Sequence, residues 1–235
     1  MKSLLIISRL LDYPDTELRD HQDELLVAVG QCSELSPSEQ QTLSTLIATI
    51  NSQPLLDIQS EYCGLFDRGR ATSLLLFEHV HGESRDRGQA MVNLLDQYQR
   101  AGLVLDKREL PDHLPLYLEY LSGCSREDAQ QGLNDIAPIL ALLEARLKQR
   151  GVMWATLFSL LLALAPRNID PAHMASQVAV EARDDTPQAL DAVWEEEQVK
   201  FFADKGCDDG LVAQHQHRFA GAVAPQYLNV EQGGR

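Results

Sequence analysis

The sequence predicts an all-α protein, and two observations support that prediction. Apolar residues recur at steps of three and four through almost every segment, which is the spacing of one face of a helix. No stretch combines a sustained alternation of apolar and polar residues with the turn residues that join β-strands. We therefore expect a single bundle of roughly ten helices without an internal repeat.

The boundaries of these helices follow from proline, glycine and capping residues. Ser36, Pro37 and Glu39 form a capping box with proline at the first helical position. Gly102 is expected to end the helix that places Tyr98 on its apolar face. The predicted helices are residues 3–11, 15–32, 36–51, 54–66, 83–101, 112–121, 125–137, 139–148, 152–165, 170–182 and 186–201.

Three of these helices have features that predict how they fold. Asp112 is expected to be the N-cap of one helix, with Pro115 inside its first turn. Pro138 lies inside a helical pattern, so we expect a break or a kink near residues 135–137. Residues 152–165 are apolar on all sides, which is typical of a central buried helix.

The charge balance narrows the classes of partner. The chain has 35 acidic and 20 basic side chains and a formal net charge of −15. This surplus of acid argues against nucleic acid, whose phosphates need clustered lysine and arginine, and against anionic membrane surfaces. It is compatible with a basic or amphipathic peptide as the partner.

The cysteines and the apolar runs predict a cytoplasmic protein with reduced thiols. No two of the four cysteines are spaced as Cys-x-x-Cys, which argues against a zinc knuckle and a redox dithiol. The apolar run near the first residue is too short for a signal peptide. Residues 152–165 are too few to span a bilayer, which needs about 20 residues. We expect no cofactor and no direct membrane insertion.

The chain is expected to form one helical domain followed by a tail. The domain covers residues 1–205, with an acidic helical segment from about residue 182, and the flexible tail covers residues 206–235. Residues 181–209 hold ten acidic and three basic side chains, which is −7 of the net charge of −15. The aromatic residues expected to dock this segment on the core are Trp194, Phe201 and Phe202.

Two motifs resemble those of the redox-enzyme maturation chaperones. Tyr62, Leu65 and Phe66 give an aromatic-x-x-Leu-Phe pattern on one helix face. The second motif of that superfamily, Glu-Pro-x-Asp-His, is similar to residues 109–113, although here the proline lies directly before Asp112. In the related chaperones these two motif regions lie at the site that binds a leader peptide.

A second resemblance extends nearly from end to end. Residues 66–88, 184–202 and 224–229 resemble the nitrate reductase delta subunit family. Members of that family are assembly chaperones that are not part of the finished enzyme, so the resemblance implies that this protein is not itself an enzyme. The resemblance implies a cytoplasmic chaperone that binds the N-terminal peptide of the catalytic (alpha) subunit and has the alpha-beta subunit complex as a partner. It also implies that the chaperone supports molybdenum-cofactor insertion and delays docking to the membrane subunit.

The candidate peptide-binding residues are an aromatic and apolar set flanked by polar groups. Spacing alone favours an ordinary core stripe for the aromatic members, and the resemblance reverses that preference. We expect a client helix to place apolar residues against this set and basic residues opposite its acidic members. The predicted set is Tyr62, Leu65, Phe66, Phe77, His81, Asp112, His113, Leu116, Tyr117, Glu119 and Tyr120.

An α-helical metal-dependent hydrolase is the alternative function. It would use His79, His81, Asp112 and His113 around one metal ion. These residues lack the spacing that places two histidines on one helix face, so we expect no metal site.

Four arginines offer a further alternative, a site for phosphate or for a pterin nucleotide. Acidic residues alternate with them along the chain, which favours a salt-bridge network that joins two helix ends. The four are Arg68, Arg70, Arg85 and Arg87.

Overall fold

The predicted all-α class is confirmed by a computed structural model that describes residues 1–80, 85–105, 109–167 and 169–192. Within these ranges the regular elements are helices, and the one β-like feature is an isolated bridge. The helices are α1 (Lys2–Leu11), α2 (Thr16–Asp20), α3 (Gln22–Gly30), α4 (Pro37–Ser52), α5 (Leu55–Phe66), a 3₁₀ turn (Leu76–Glu78), α6 (Arg85–Arg100), α7 (Leu114–Gly123), α8 (Arg126–Arg150), α9 (Ala155–Leu164) and α10 (Pro171–Val178).

The core is built around α9. This helix packs against α8, α4 and α1, and its residues Leu157, Phe158 and Leu161 are fully buried. The prediction of a central buried helix within residues 152–165 is therefore confirmed. α8 also packs against α10 and α7, while α1 packs against α7 and α3. Burial of apolar area on this scale is the main force that holds such a bundle together.

Local capping signals predicted several boundaries correctly. The Ser36 hydroxyl accepts the Glu39 N–H while the Glu39 carboxylate accepts the Ser36 N–H, so the predicted capping box at α4 is confirmed. Ser125 caps α8 by accepting the Asp128 N–H at 3.1 Å. Gly102 follows α6 with a φ of 79°, a left-handed conformation that glycine adopts without steric cost.

The single helix predicted for residues 15–32 is wrong. The chain instead forms α2 and α3, which are separated at His21. Leu18 and Leu25 are seven residues apart, which is two helical turns, so the apolar spacing remains helical across the break. Because α2 buries none of its residues and α3 buries only Val29, little packing holds the two segments on one axis.

Pro138 does not break its helix. α8 runs without interruption from Arg126 to Arg150, and the Pro138 side chain faces solvent. On both sides of the proline, Ala137 and Leu140 are fully buried. Tertiary packing of this kind outweighs the local cost of a proline in a helix. α10 also ends earlier than predicted, at Val178.

The chain divides into two compact units, Met1–Thr186 and Pro187–Arg235. Residues 187–192 of the second unit are helical, which agrees with the helix predicted from residue 186. Trp194, Phe201, Phe202 and the predicted tail lie outside the described residues. Within the described part of the chain, none of the helices has both the length and the apolarity needed to cross a membrane. Cys32, Cys63 and Cys124 are free thiols.

Candidate functional site

The residues of the first motif lie in an aromatic cluster in the core. Tyr62 and Phe66 are each 5% exposed, and Leu65 is also buried. The Trp154 ring lies 5.7 Å from the Tyr62 ring and 5.8 Å from the Phe66 ring, both edge-on. The Tyr62 hydroxyl donates to the Leu11 carbonyl oxygen at 2.9 Å, which ties α5 to the end of α1. These three residues therefore fix the position of α5 through their contacts in the core.

Trp154 was not predicted as part of this cluster. It is fully buried and directly precedes α9. The signal that could have identified it is its place at the start of the apolar run of residues 152–165, where a large aromatic residue marks a core position.

The segment that follows the first motif meets the second motif through its backbone. Leu75 and His113 form an isolated antiparallel bridge. The Leu76 N–H donates to the Asp112 carbonyl oxygen at 3.0 Å, and the Leu114 N–H donates to the Leu74 carbonyl oxygen at 2.8 Å. The bridge fixes the start of α7 against the segment that follows α5. The apolar run of residues 74–77 was recognised in the sequence, but the pairing of Leu75 with His113, 38 residues away, was not predicted.

Asp112 is not the N-cap of α7, which corrects the sequence prediction. His113 occupies the N-cap position and makes no side-chain capping bond. The Asp112 side chain is 0% exposed, and its Oδ2 accepts the Phe77 N–H at 2.9 Å. The reason is the bridge, which brings the Phe77 N–H within reach, while Pro115 leaves the first turn of α7 with one backbone donor fewer to cap.

Burial raises the pKa of the Asp112 carboxyl above its ordinary value. The Phe77 N–H and the positive charge of Arg87 act in the opposite direction, because both favour the ionised form. The Oδ1 atom has no hydrogen-bond partner among the described residues. Burial of a carboxyl with one oxygen atom unbonded lowers the free energy of unfolding, and the packing around Asp112 compensates for this loss.

A small cavity lies between α1, the start of α7 and the segment before it. Its volume is about 220 Å³, and it brings together three predicted residues, His113, Leu116 and Glu119. Three carboxylates and one guanidinium line it, so its charge is predominantly negative. The residues that complete its wall are Ser8, Arg9, Asp12, Glu109 and Pro115.

The α1 side of this cavity was missed by the sequence analysis. Arg9 and Asp12 are about a hundred residues from His113 in the chain, and no motif links the two regions. The Ser8 hydroxyl donates to the Pro115 carbonyl oxygen at 2.7 Å in the core, which holds α1 against α7. Ser8 is a polar residue in a helix whose buried residues are mostly apolar, and this is the signal that could have indicated the contact.

The predicted tyrosines of α7 are half-buried and do not line the cavity. The Tyr117 and Tyr120 rings lie 6.1 Å apart, and Tyr120 lies 5.0 Å from the Tyr98 ring of α6. The Tyr98 hydroxyl donates to the Pro111 carbonyl oxygen at 2.8 Å. Burial raises the pKa of both Tyr98 and Tyr117, so both phenols are neutral. The three rings join α6 to α7 beside the bridge.

Phe77 and the metal-site candidate His79 lie in and directly after the 3₁₀ turn. Phe77 is half-buried and packs against the core, while His81 lies outside the described residues. His79 is bonded through Nε2 to the Ser73 carbonyl oxygen at 2.9 Å, and burial lowers its pKa. Among the residues that the structure describes, no group of three or more His, Cys, Asp or Glu side chains is arranged to hold a metal ion.

The predicted arginine network is described in part, and Arg87 is a member whose ion pair is seen. Arg87 lies 3.7 Å from the Glu78 carboxylate, so α6 is joined to the 3₁₀ turn. Arg68 and Arg70 are exposed on the loop after α5, and the side chain of Arg85 lies outside the description.

Comparison with known proteins identifies the family. The sequence model of the family described as "Nitrate reductase delta subunit" matches residues 33–159. The chain is 61% identical to the nitrate reductase molybdenum cofactor assembly chaperone NarJ of Escherichia coli (strain K12), over the full length of both. It is 51% identical to the probable nitrate reductase molybdenum cofactor assembly chaperone NarW of that strain, over 100% of this chain and 99% of NarW. The probable chaperone of the same description, NarJ of Bacillus subtilis (strain 168), is 28% identical over 67% of this chain and 84% of its own. The chain therefore belongs to the nitrate reductase delta subunit family.

Proposed function

We propose that this protein is an assembly chaperone for a nitrate reductase, that it supports insertion of the molybdenum cofactor, and that it is not an enzyme. Full-length identity of 61% to a chaperone of that description supports the proposal. Its place of action is the cytoplasm. Its client is the N-terminal peptide of the catalytic alpha subunit, alone or in the alpha-beta subunit complex, and holding that peptide delays docking to the membrane subunit.

The observation that supports a peptide site is the bridge between the segment that follows the first motif and the second motif, which lies beside an acidic cavity. The Leu75–His113 bridge places the half-buried Phe77 and Leu116 near the start of α7. Glu119 and Glu109 lie at the cavity wall, where they would face a basic side chain of the client. A client helix that lays apolar side chains along this face would bury them against Phe77, Leu116 and Tyr117.

The other predicted residues take supporting roles in this proposal. Tyr62, Leu65 and Phe66 hold α5 in the core, and Tyr120 braces α7 against α6. Asp112 fixes the 3₁₀ turn through the Phe77 N–H. His113 lines the cavity itself.

Apolar burial provides most of the affinity in this proposal. Each apolar client side chain that becomes buried contributes about 1.5–3 kcal/mol, while ordering a flexible peptide costs about 2–5 kcal/mol. A few such side chains give binding in the micromolar range. Surface ion pairs add about 0–1 kcal/mol each and are screened by salt, so we expect added salt to weaken binding only modestly.

Titration calorimetry with the N-terminal peptide of the catalytic subunit tests this proposal. Leu116→Ala removes apolar contact area at the cavity, so we expect it to weaken binding by about tenfold, which corresponds to about 1.4 kcal/mol. Leu56→Ala is the matched control, because Leu56 is 78% exposed on α5 and does not line the cavity. Asp112→Asn should weaken binding less than Leu116→Ala does.

Far-ultraviolet circular dichroism establishes that each variant is folded before its affinity is compared. If folded Leu116→Ala binds the peptide as tightly as the parent and the Leu56→Ala control, the peptide site lies elsewhere. If the parent does not bind the peptide at all, the proposed client is wrong.

A further inference from the structure

Two arginines of α8 reach across the loop that follows α5. Arg146 makes a bidentate pair with the Glu181 carboxylate, with distances of 2.7 Å from Nε and 3.1 Å from Nη2. Its Nη1 also donates to the Ala71 carbonyl oxygen at 2.7 Å. One guanidinium therefore joins three segments that are far apart in sequence, namely α8, the loop and the segment after α10.

Arg150, one turn further along α8, makes a second set of such contacts. Its side chain is 6% exposed. Its Nη2 lies 3.3 Å from the Asp184 carboxylate, and its Nη1 lies 3.4 Å from the Asp185 carboxylate. Nη1 also donates to the Thr72 hydroxyl at 3.1 Å. A guanidinium this deeply buried needs such partners, since an uncompensated buried charge is strongly destabilising.

Asp184 also forms a hydrogen bond with the backbone of the loop. Its Oδ2 accepts the Ala71 N–H at 2.7 Å. A Cβ atom added to Gly69 would lie 2.7 Å from both carboxylate oxygens, closer than a carbon can approach. Gly69 does not have a positive φ, so an alanine here would conflict with the Asp184 carboxylate and not with the backbone conformation.

The loop of residues 67–73 leads directly into the Leu75–His113 bridge. Ser73 accepts from the His79 ring through its carbonyl oxygen, and the next residue, Leu74, accepts the Leu114 N–H. The position of the bridge is therefore set from two sides, by α7 and by the loop. The acidic residues that hold the loop are the last ones before the boundary at Thr186.

We infer that Glu181, Asp184 and Asp185 form a clasp, here called the C-terminal clasp, that fixes the loop of residues 67–73 and controls the geometry of the bridge at the peptide site. The clasp closed on Arg146 and Arg150 holds the site ready for its peptide. Opening the clasp loosens the bridge and lowers peptide affinity. The affinity part rests on the proposed function, whereas the structural part does not.

Gly69→Ala opens the clasp without changing any charge, because its Cβ displaces the Asp184 carboxylate. Asp184→Asn opens it by removing the charge while keeping the side-chain size. Gly64→Ala is the matched control, since a Cβ at Gly64, on α5, meets no atom within 4 Å. Each substitution is made in the full-length chain.

Hydrogen exchange measured by mass spectrometry is the first readout. We expect Gly69→Ala and Asp184→Asn to speed exchange about tenfold in peptides covering residues 71–77 and 112–117, through local opening that leaves α3 and α4 unchanged. Gly64→Ala should leave these rates as they are. Unchanged rates in both clasp variants, or a uniform rise along the whole chain, would overturn the inference.

Calorimetry with the client peptide is the second readout. Both clasp variants should bind several-fold more weakly than the Gly64→Ala control. Faster local exchange with unchanged affinity would show that the clasp does not control the site, which contradicts the inference. If the parent binds no peptide, the proposed function fails, and the exchange rates then decide the structural part alone.

Discussion

Asp112 is a residue whose chemistry is set by distant parts of the chain. Its type and its place in a motif could be read from the sequence, and a helix-capping role followed from local rules. Its actual partner is the Phe77 N–H, 35 residues away, and its burial results from the bridge between the two segments. Helix-capping rules consider only residues within about one turn of the helix end, so they could not predict this distant pairing, and the capping prediction was wrong.

The buried carboxyl of Asp112 predicts a specific pH dependence. Its pKa in the folded protein is raised above the ordinary 3.8 because of burial, so the folded state holds the proton to higher pH than the unfolded state does. Its contribution to the free energy of unfolding therefore falls as the pH rises from 3.8 through the raised pKa. Above that pKa the carboxyl is ionised in both states, and the full destabilisation from burying the charge is present. Asp112→Asn carries no ionisable group at this position and lacks this cost.

Thermal unfolding of the parent and of Asp112→Asn at several pH values measures the effect. We expect the Tm of the variant, relative to that of the parent, to be higher at about pH 7 than at about pH 4. The comparison cancels the contributions of the other carboxylates, which both proteins share. A Tm difference that stays constant with pH, or that changes in the opposite direction, would contradict the prediction.

At the scale of single helices, the sequence predicted most elements because their signals are local. The capping residues Ser36 and Ser125 and the glycine at Gly102 lie within one turn of the boundaries that they set. The errors occurred where packing decides. The break at His21 follows from weak burial of α2 and α3, and the continuity of α8 through Pro138 follows from its buried neighbours.

The close contact between α7 and α8 at Gly132 predicts that a larger residue at this position destabilises the protein. A Cβ added there would lie 2.5 Å from the Leu121 Cδ2 and 3.0 Å from the Tyr117 hydroxyl. Overpacking of this kind costs about 1–3 kcal/mol and outweighs the gain of about 1 kcal/mol that alanine brings to a helix interior. Urea unfolding of Gly132→Ala should therefore show a lower free energy of unfolding than the parent.

Gly88→Ala, on α6, is the matched control for this substitution. A Cβ at Gly88 meets no atom within 4 Å, so only the gain in helix propensity, about 0.5–1 kcal/mol, is expected. If both alanine variants are stabilised equally, the two helices do not approach as closely at Gly132 as described.

At the scale of the whole molecule, composition and periodicity fix the class of fold but not which helices meet. The pairing of α1 with α7 creates the acidic cavity, and the pairing of α8 with the segment after α10 creates the C-terminal clasp. Neither pairing leaves a local pattern, because each joins residues separated by tens of positions. The family resemblance predicted where a peptide would bind, but it indicated neither Arg9 nor Arg150.

The C-terminal clasp predicts where the chain can be shortened. A chain that ends at Thr186 keeps the whole of the first compact unit, including Glu181, Asp184 and Asp185. A chain that ends at Val180 loses all three carboxylates, so Arg146 and Arg150 lose their ion-pair partners. Removing one partner of a buried ion pair costs about 3–5 kcal/mol, so the shorter chain should be less stable by about that amount. Urea unfolding of the two chains, followed by circular dichroism, measures the difference.

A third chain separates the effect of the unpaired charge from that of lost packing. Arg150→Met in the chain that ends at Val180 replaces the buried guanidinium with an apolar side chain of similar length. It should recover part of the lost stability, because an apolar group needs no counter-charge in the interior. Equal stability of the chains that end at Thr186 and at Val180 would mean that the clasp contributes nothing to the fold. In that case the loop, through the Ala71 carbonyl and the Thr72 hydroxyl, together with solvent would provide sufficient partners for the two arginines.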